Sequence, residues 1–326
     1  MNKINQNPLV SVVFTSFNHK EFLKEALDSL VNQTYQNIEI IIIDDCSTDG
    51  SQEILEQYRC FNNINLKLST TNSGSYVNSS NYGASLATGD YLLFAQCDDY
   101  AAPNQIEKLV QMMLKNPEVG VVYSKSNLID HEGTFITTDL QCREMIFKKH
   151  ISINPIIYGN QMRTFLSFSC VIPNLSAALI NTNLFREVNG LSKKFLVVAD
   201  WELWLNLAER TNFYYINESL NNFRQHNTTI RSQIKMKVQI IEIFNMFYNH
   251  IKVYKLDTKA TKQFKIGAGA VWFAYFLESK LTWLKCFVTV RKEICKIEDN
   301  NLYYLFMGIK KIIYNMIMSR LVLQTK

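Results

Sequence analysis

The sequence has no hydrophobic run long enough to cross a bilayer, few turn-forming residues and no paired cysteines. Each scarcity excludes something. Five Pro and eleven Gly in 326 residues rule out fibrous and linker-rich chains. The seven cysteines (Cys46, Cys60, Cys97, Cys142, Cys170, Cys286, Cys295) form no C-x-x-C pair and are odd in number. That argues against a disulfide framework or a zinc site and fits a reducing cytoplasm. Residues 1–8 are polar and lack the apolar stretch of a secretion signal. Residues 266–277 reach only about two-thirds of the ~18 apolar residues a span requires and read as a buried helix. Residues 302–318 are broken by Lys310 and Lys311. The expectation is a cytoplasmic chain, at most peripheral to the inner face of the plasma membrane.

What is present is enough apolar material for a substantial core: 47% of residues are hydrophobic against 19% charged, which excludes disorder as the main state. The net charge of +5 hides a division. Residues 235–326 hold 16 Lys and Arg against 6 Asp and Glu, a net +10, leaving 18 basic and 23 acidic groups, a net −5, in residues 1–234. Such asymmetry directs any membrane or nucleic-acid partner to the tail, not to the body. The body has no basic-aromatic stripe, so nucleic acid is not expected as a partner.

Short β-branched runs at 10–14 and 38–43 look like strands buried on both faces. Between them Phe22, Leu23, Ala26, Leu27, Leu30 and Val31 recur at helical spacing, with Asn18 able to cap that helix. The alternation continues through helix 51–58, strand 64–68, helix 76–87, strand 91–95, helix 106–114 and strand 119–123. Alternating strands and helices imply an α/β fold with a mostly parallel sheet, whose ligands bind beyond the carboxyl ends of the strands.

Those ends are polar. Residues 10–14 run into Thr15-Ser16-Phe17-Asn18, residues 38–43 into Asp44-Asp45-Cys46-Ser47-Thr48-Asp49-Gly50, and residues 91–95 into Gln96-Cys97-Asp98-Asp99. Asp49 reads equally as a helix cap. Asp98 and Asp99 are harder to explain as a turn, because adjacent like charges cost stability unless a cation neutralises them. Oxygen ligands there suit Mg²⁺ or Mn²⁺, which commonly also bind substrate phosphates.

These residues resemble family 2 glycosyltransferases of the GT-A fold. The resemblance rests on VSVVFTSFN at 10–18, IDDCSTD at 43–49, NSG at 72–74, Asn81 ahead of ATGD at 87–90, GDYLLFAQCDD at 89–99, ADWELWL at 199–205 and FRQH at 223–226. It implies a Rossmann-like, mostly parallel sheet flanked by helices over residues 1–232, with a helical C-terminal region at 233–326. It also implies a nucleotide-sugar donor, most simply a UDP-sugar, and a glycan or lipid-linked saccharide acceptor in surface-polysaccharide synthesis. By the same resemblance Thr15, Phe17, Asn18, Asn72 and Asn81 lie along the donor. Phe17 takes the place of the family's usual Tyr as a stacking face, and Asp45, with Asp44 beside it, accepts from the uracil N–H. Asp98 and Asp99 stand at the D-x-D-type motif as metal ligands, Asp99 foremost, with Asp98 also along the donor. Asp200 is the catalytic base, with Glu202 as its alternative, and His226 and Arg224 close over the diphosphate, His226 as a further metal ligand.

Each role has a plainer alternative: Phe17, Trp201 and Trp204 as core aromatics, Asp200 as a helix cap, His226 as a structural histidine, and Arg224 and Arg231 as surface charges. Two departures stand out. Ser80 occupies the position where the family often carries Arg, and the spacer form of the D-x-D motif is replaced by adjacent aspartates. In the tail, Val238, Ile241, Ile243, Phe244, Phe247 and Tyr248 suggest an amphipathic helix, and residues 302–323 mix aromatics and aliphatics with Lys310, Lys311 and Arg320. That pattern fits a helix packed on the body or on a second subunit, as in a homodimer, and equally an interfacial helix on an anionic membrane. Two other functions compete. A sugar nucleotidyltransferase would show a Gly-rich basic loop after the first strand, which residues 15–18 lack. A silent glycan-binding scaffold would not need Asp45, Asp98, Asp99 and Asp200 together.

Overall fold

The computed structural model describes residues 6–226, 234–279, 281, 284, 288, 291–292, 303–304 and 306–314. Arg231 and half of the expected interfacial helix at 302–323 lie outside the described residues. In chain order the elements are β1 (Val10–Ser16), α1 (Lys20–Val31), β2 (Ile38–Asp44), α2 (Ser51–Gln57), β3 (Ile64–Leu68), α3 (Tyr76–Leu86), β4 (Tyr91–Gln96), β5 (Tyr100–Ala101) and α4 (Gln105–Lys115). Then follow β6 (Val119–Ile129), β7 (Phe135–Thr138), α5 (Met145–Ile153), β8 (Ile156–Ile157), α6 (Gly159–Leu166), β9 (Ala178–Asn181), α7 (Thr182–Glu187), α8 (Ala199–Ala208) and β10 (Asn212–Arg224). Two long helices follow, α9 (Met236–Val253) and α10 (Thr258–Glu278).

One sheet runs β3-β2-β1-β4-β9-β6-β10-β5, with β7 on β6 and β8 on β10. The β3-β2-β1-β4 half is parallel as expected. The short strand β9 enters antiparallel between β4 and β6, and β5, β7 and β8 also pair antiparallel. The fold is therefore an α/β mixed sheet rather than a uniformly parallel one.

The unbroken β-branched runs follow from helices on both faces. Val12, Phe14, Ile40 and Ile42 pack with Leu23 and Leu27 of α1 and with Ile106 and Leu109 of α4. The alternate residues Val13, Ile41 and Ile43 pack on the other side with Val77 and Ala84 of α3. Period-two alternation thus divides one apolar strand between two cores.

The tail helices join the second core. Ile240, Ile243, Phe244 and Phe247 of α9 and Phe264 and Trp272 of α10 share it with Phe147, Trp201 and Trp204. A Cβ on Gly267 would lie 1.7 Å from the Ser167 carbonyl oxygen, so α10 can seat on that loop only with glycine there. The expected burial along 272–277 stops early, since Trp272 is buried but Leu277 is exposed. Lys311 faces the body: it lies over the Phe168 ring and 3.4 Å from Glu144. Among the described residues, no helix is long and apolar enough to cross a membrane.

Asn18 does not cap α1. The helix starts after His19 without a side-chain cap, and Asn18, at φ +51°, instead accepts from Thr48 N and donates its own N–H to Ser47 Oγ. The acceptor at the start of α1 is Asp49, whose Oδ2 takes Lys20 N at 2.9 Å while its Oδ1 takes Ser51 N and Oγ at the start of α2. Burial opposes the ionised Asp49, but these donors outweigh it and hold its carboxyl below the usual range.

Candidate functional site

The carboxyl ends of β1 and β2 form one wall. Ser16 O accepts Asp45 N at 2.9 Å, joining the two strand ends. Asp45 is buried, its oxygens accepting from Ser73 N at 2.7 Å and Ser73 Oγ at 2.9 Å. Asn72 donates to the Asp45 carbonyl and accepts from Gly74 N, shaping the loop that delivers Ser73. Thr15 is half-buried beside this wall. Phe17 is 44% exposed and so is not a core aromatic. Asp44 is different. It is fully buried, accepting from Ser47 N, Ser47 Oγ and Gln52 Nε2, so it braces the β2 loop and offers no surface to a ligand.

The second wall follows β4. Asp98 and Asp99, adjacent in sequence, turn opposite ways. Asp99 is 4% exposed. It accepts from Asn174 Nδ2 at 2.6 Å, Ser176 Oγ at 2.9 Å and Arg224 N at 3.0 Å. Burial, then the Asp98 charge, push its carboxyl well above the usual range against the pull of these donors. Asp98 is half-buried and turns to His226 instead, its Oδ2 3.0 Å from His226 Nε2. Ligand atoms of His19, Asp98 and His226 all lie within 4.8 Å of one another. The His19 and His226 rings meet edge-on at 5.3 Å, and Cys97 Sγ lies 3.6 Å from His19 Nδ1.

Arg224, at the end of β10, is 2% exposed. Its Nε donates to the Asp98 carbonyl, its Nη1 to the Asp130 and His131 carbonyls and its Nη2 to Glu25 Oε2, while the guanidinium rests 4.6 Å over the Phe22 ring. The expected diphosphate contact is therefore replaced by a structural role: Arg224 ties the Asp98 turn to the chain that carries His226.

Asp200 lies in the first turn of α8, one residue inside the start, so it is not the N-cap; its Oδ1 accepts Trp201 N at 2.7 Å. Tyr76, at the start of α3, lies beside it. Burial, then the charges of Asp200 and Glu242, raise the Tyr76 phenol well above its ordinary value. Since Ser73, three residues before Tyr76, holds Asp45, the start of α3 links the first wall to Asp200. Asn81 faces the backbone: its amide donates to Leu191 O at 2.7 Å and accepts Leu191 N at 3.0 Å. Gly190, at φ +67°, permits this, since a Cβ there would lie 2.6 Å from Asn81 Oδ1. Trp201 and Trp204 are core residues. Glu202 is half-buried, its carboxyl raised by burial against Ser192 and Lys194.

Residues 11–170 match the family model described as glycosyl transferase family 2. The glycosyltransferase GlyG of Streptococcus pneumoniae is 30% identical over 261 residues, covering 78% of this chain and 84% of its own length. The chain belongs to glycosyl transferase family 2. Its fold is also that of solved glycosyltransferase structures. S. aureus TarS 1–349 in complex with UDP-GlcNAc superposes with a TM-score of 0.65 at 16% identity, over 88% of this chain and 81% of that one. The mannosyltransferase PcManGT of Pyrobaculum calidifontis, in complex with GDP-Man and Mn²⁺, gives 0.52 at 15%, over 94% and 87%.

For a family 2 glycosyltransferase, the geometry revises the sequence reading at the cation. Both Asp98 and Asp99 were expected as ligands; the Asp99 oxygens are held inward by three protein donors, and Asp98 is the carboxylate grouped with two imidazoles. The donor set fits a divalent ion: one carboxylate and two imidazole nitrogens leave further positions for ligand oxygens. His19 escaped sequence reasoning because one histidine at a helix start carries no spacing pattern. Its position directly after the polar end of β1 was the available signal. Ser73 stood within the NSG run at 72–74 with no role of its own, and Tyr76 read only as a helix residue.

Proposed function

We propose that this family 2 glycosyltransferase is an inverting enzyme. It transfers a sugar from a UDP-sugar to a hydroxyl of a growing glycan or lipid-linked saccharide in surface-polysaccharide synthesis. The observation that carries this reading is the His19, Asp98 and His226 group beyond β1, β4 and β10, on the same carboxyl-end edge of the sheet that carries Phe17 and Asp45 after β1 and β2. The UDP-GlcNAc complex of TarS supports a uridine donor, and the Mn²⁺ complex of PcManGT supports a divalent ion. Two nitrogen ligands favour Mn²⁺ over Mg²⁺.

In this mechanism Phe17 offers a stacking face to the base and Thr15, Asn18 and Asn72 line its edge. Asp45, fixed by Ser73, keeps lone-pair capacity to accept the uracil N–H. Asp98, His19 and His226 would hold the cation, and Asp99 and Arg224 fix the turn that presents Asp98 to His226. When bound, the cation supplies Lewis-acid stabilisation of the departing diphosphate. Asp200 accepts the proton of the acceptor hydroxyl as general base. One base on the face opposite the leaving group gives a single displacement and inversion, as in inverting glycoside hydrolysis with a sugar hydroxyl in place of water. These groups all lie within residues 1–232, while the tail helices α9 and α10 share a core with that part.

A donor screen with Mn²⁺ tests the reading, scoring nucleotide release from UDP-, GDP-, dTDP- and CMP-sugars. Release from a UDP-sugar that disappears in Asp98→Asn and Asp200→Asn supports it. Wild-type activity in both variants, or no response to any UDP-sugar, contradicts it.

A further inference from the structure

We infer that Glu242 on α9 is a positioning residue for Asp200, so that the first tail helix completes the acceptor side of the site. This rests on the reading of Asp200 as the base. Both Glu242 oxygens lie 3.1 Å from Leu196 N, and Oε2 accepts Val197 N at 2.8 Å. These amides precede Asp200 by four and three residues. The residue that starts α8, Val198, offers no side-chain cap. A carboxylate on a neighbouring helix therefore does locally what a capping side chain would otherwise do: it fixes the chain entering the helix.

The same segment is clamped on either side. Asn81 brackets Leu191 upstream. Downstream, Trp201 donates its ring N–H to Leu166 O at 2.8 Å and meets Phe247 of α9 edge-on at 5.6 Å. Glu242 and Phe247 lie five residues apart on one helix, so α9 holds the backbone before Asp200 and the side chain after it. The Tyr76 phenol on α3 feels the charges of both carboxylates. Bonds from backbone amides to a carboxylate are charge-assisted and short, and a misplacement of ~1 Å at a reacting group can lower a rate about 100-fold. Glu242 thus sets where the Asp200 carboxylate stands without touching substrate.

The test uses the full chain with the nucleotide-sugar donor found by the nucleotide-release screen, comparing wild type, Glu242→Ala, Glu242→Gln and Asp200→Asn. Glu242→Ala should lower kcat by about 10- to 100-fold with the donor KM within about twofold of wild type. Glu242→Gln, whose amide oxygen still accepts an N–H, should recover most of that loss. A purely structural role would lower the melting temperature without separating kcat from KM. If Asp200→Asn is inactive while Glu242→Ala keeps the wild-type kcat, or loses donor affinity and kcat together, the inference is overturned and the base assignment stands. If Asp200→Asn stays active, the base assignment itself has failed, and the inference with it. Should the alanine variant not fold, Glu242→Asp, a methylene too short to hold both amides, carries the same expected loss and the same contradiction.

Discussion

Asp98 Oδ2 and His226 Nε2 stand 3.0 Å apart, the spacing of neighbouring ligands around an octahedral ion with bonds of about 2.1 Å. In the absence of an ion the same geometry serves as a hydrogen bond. Asp99, the next residue, faces the interior, so the pair divides its work: one carboxylate faces the donor and the other fixes the turn.

That division predicts different consequences for the two aspartates. Asp98→Asn should fold with a melting temperature close to wild type and lose the added stability that Mn²⁺ with UDP confers. Asp99→Ala should be destabilised by about 2–4 kcal/mol, because Asn174, Ser176 and Arg224 N are left without their acceptor. Thermal denaturation of both variants, with and without Mn²⁺ and UDP, checks this.

Arg224 should act through the fold. Arg224→Ala is expected to cost about 3 kcal/mol, and Arg224→Lys should recover little, since one ammonium cannot reach the Asp98, Asp130 and His131 carbonyls together. Denaturant unfolding measures the loss. Stability equal to wild type in both variants would contradict the structural role.

Phe17, exposed and outside both cores, should be removable without harm to the fold. Phe17→Ala should change stability by less than about 0.5 kcal/mol and weaken UDP binding about tenfold, in the range that base stacking on an aromatic ring provides. Calorimetric titration with UDP gives the second number.

His250 supplies a pH dependence. Burial lowers its pKa below the ordinary value, against the opposing pull of Glu209, 3.1 Å from its Nε2. A histidine whose folded pKa is depressed contributes stability that is present above the unfolded value of ~6.5 and lost as pH falls toward the folded pKa. The melting temperature should therefore fall as pH drops from about 7 toward 5.5, and His250→Gln should flatten that slope. Equal slopes in both proteins would remove His250 from the account.

Much of this was legible in the sequence, for identifiable reasons. The β1 and β2 runs and the spacing of Leu23, Ala26, Leu27 and Leu30 report burial directly, because period and apolarity are local properties. The strand-end position of Asp45 and Asp98 followed from the alternation of strands and helices. What stayed hidden depends on distant chain. Asp99 leaves the expected ligand pair only because Asn174 and Ser176, some 75 residues later, draw it inward. Arg224 looked like a phosphate ligand because nothing local shows that three carbonyls surround it. Strand β9 has four residues and follows directly on the buried turn Leu175–Ala177, too short a run to announce an antiparallel insertion.

The most direct test of the central claim is pulsed electron paramagnetic resonance of Mn²⁺ bound to the protein with UDP. The account predicts nitrogen coupling from histidine ligands together with phosphorus coupling from the diphosphate. Nitrogen coupling should weaken in His19→Ala and in His226→Ala, and Asp98→Asn should abolish binding. A spectrum without nitrogen coupling, or one unchanged in Asp98→Asn and lost in Asp99→Asn, would contradict it.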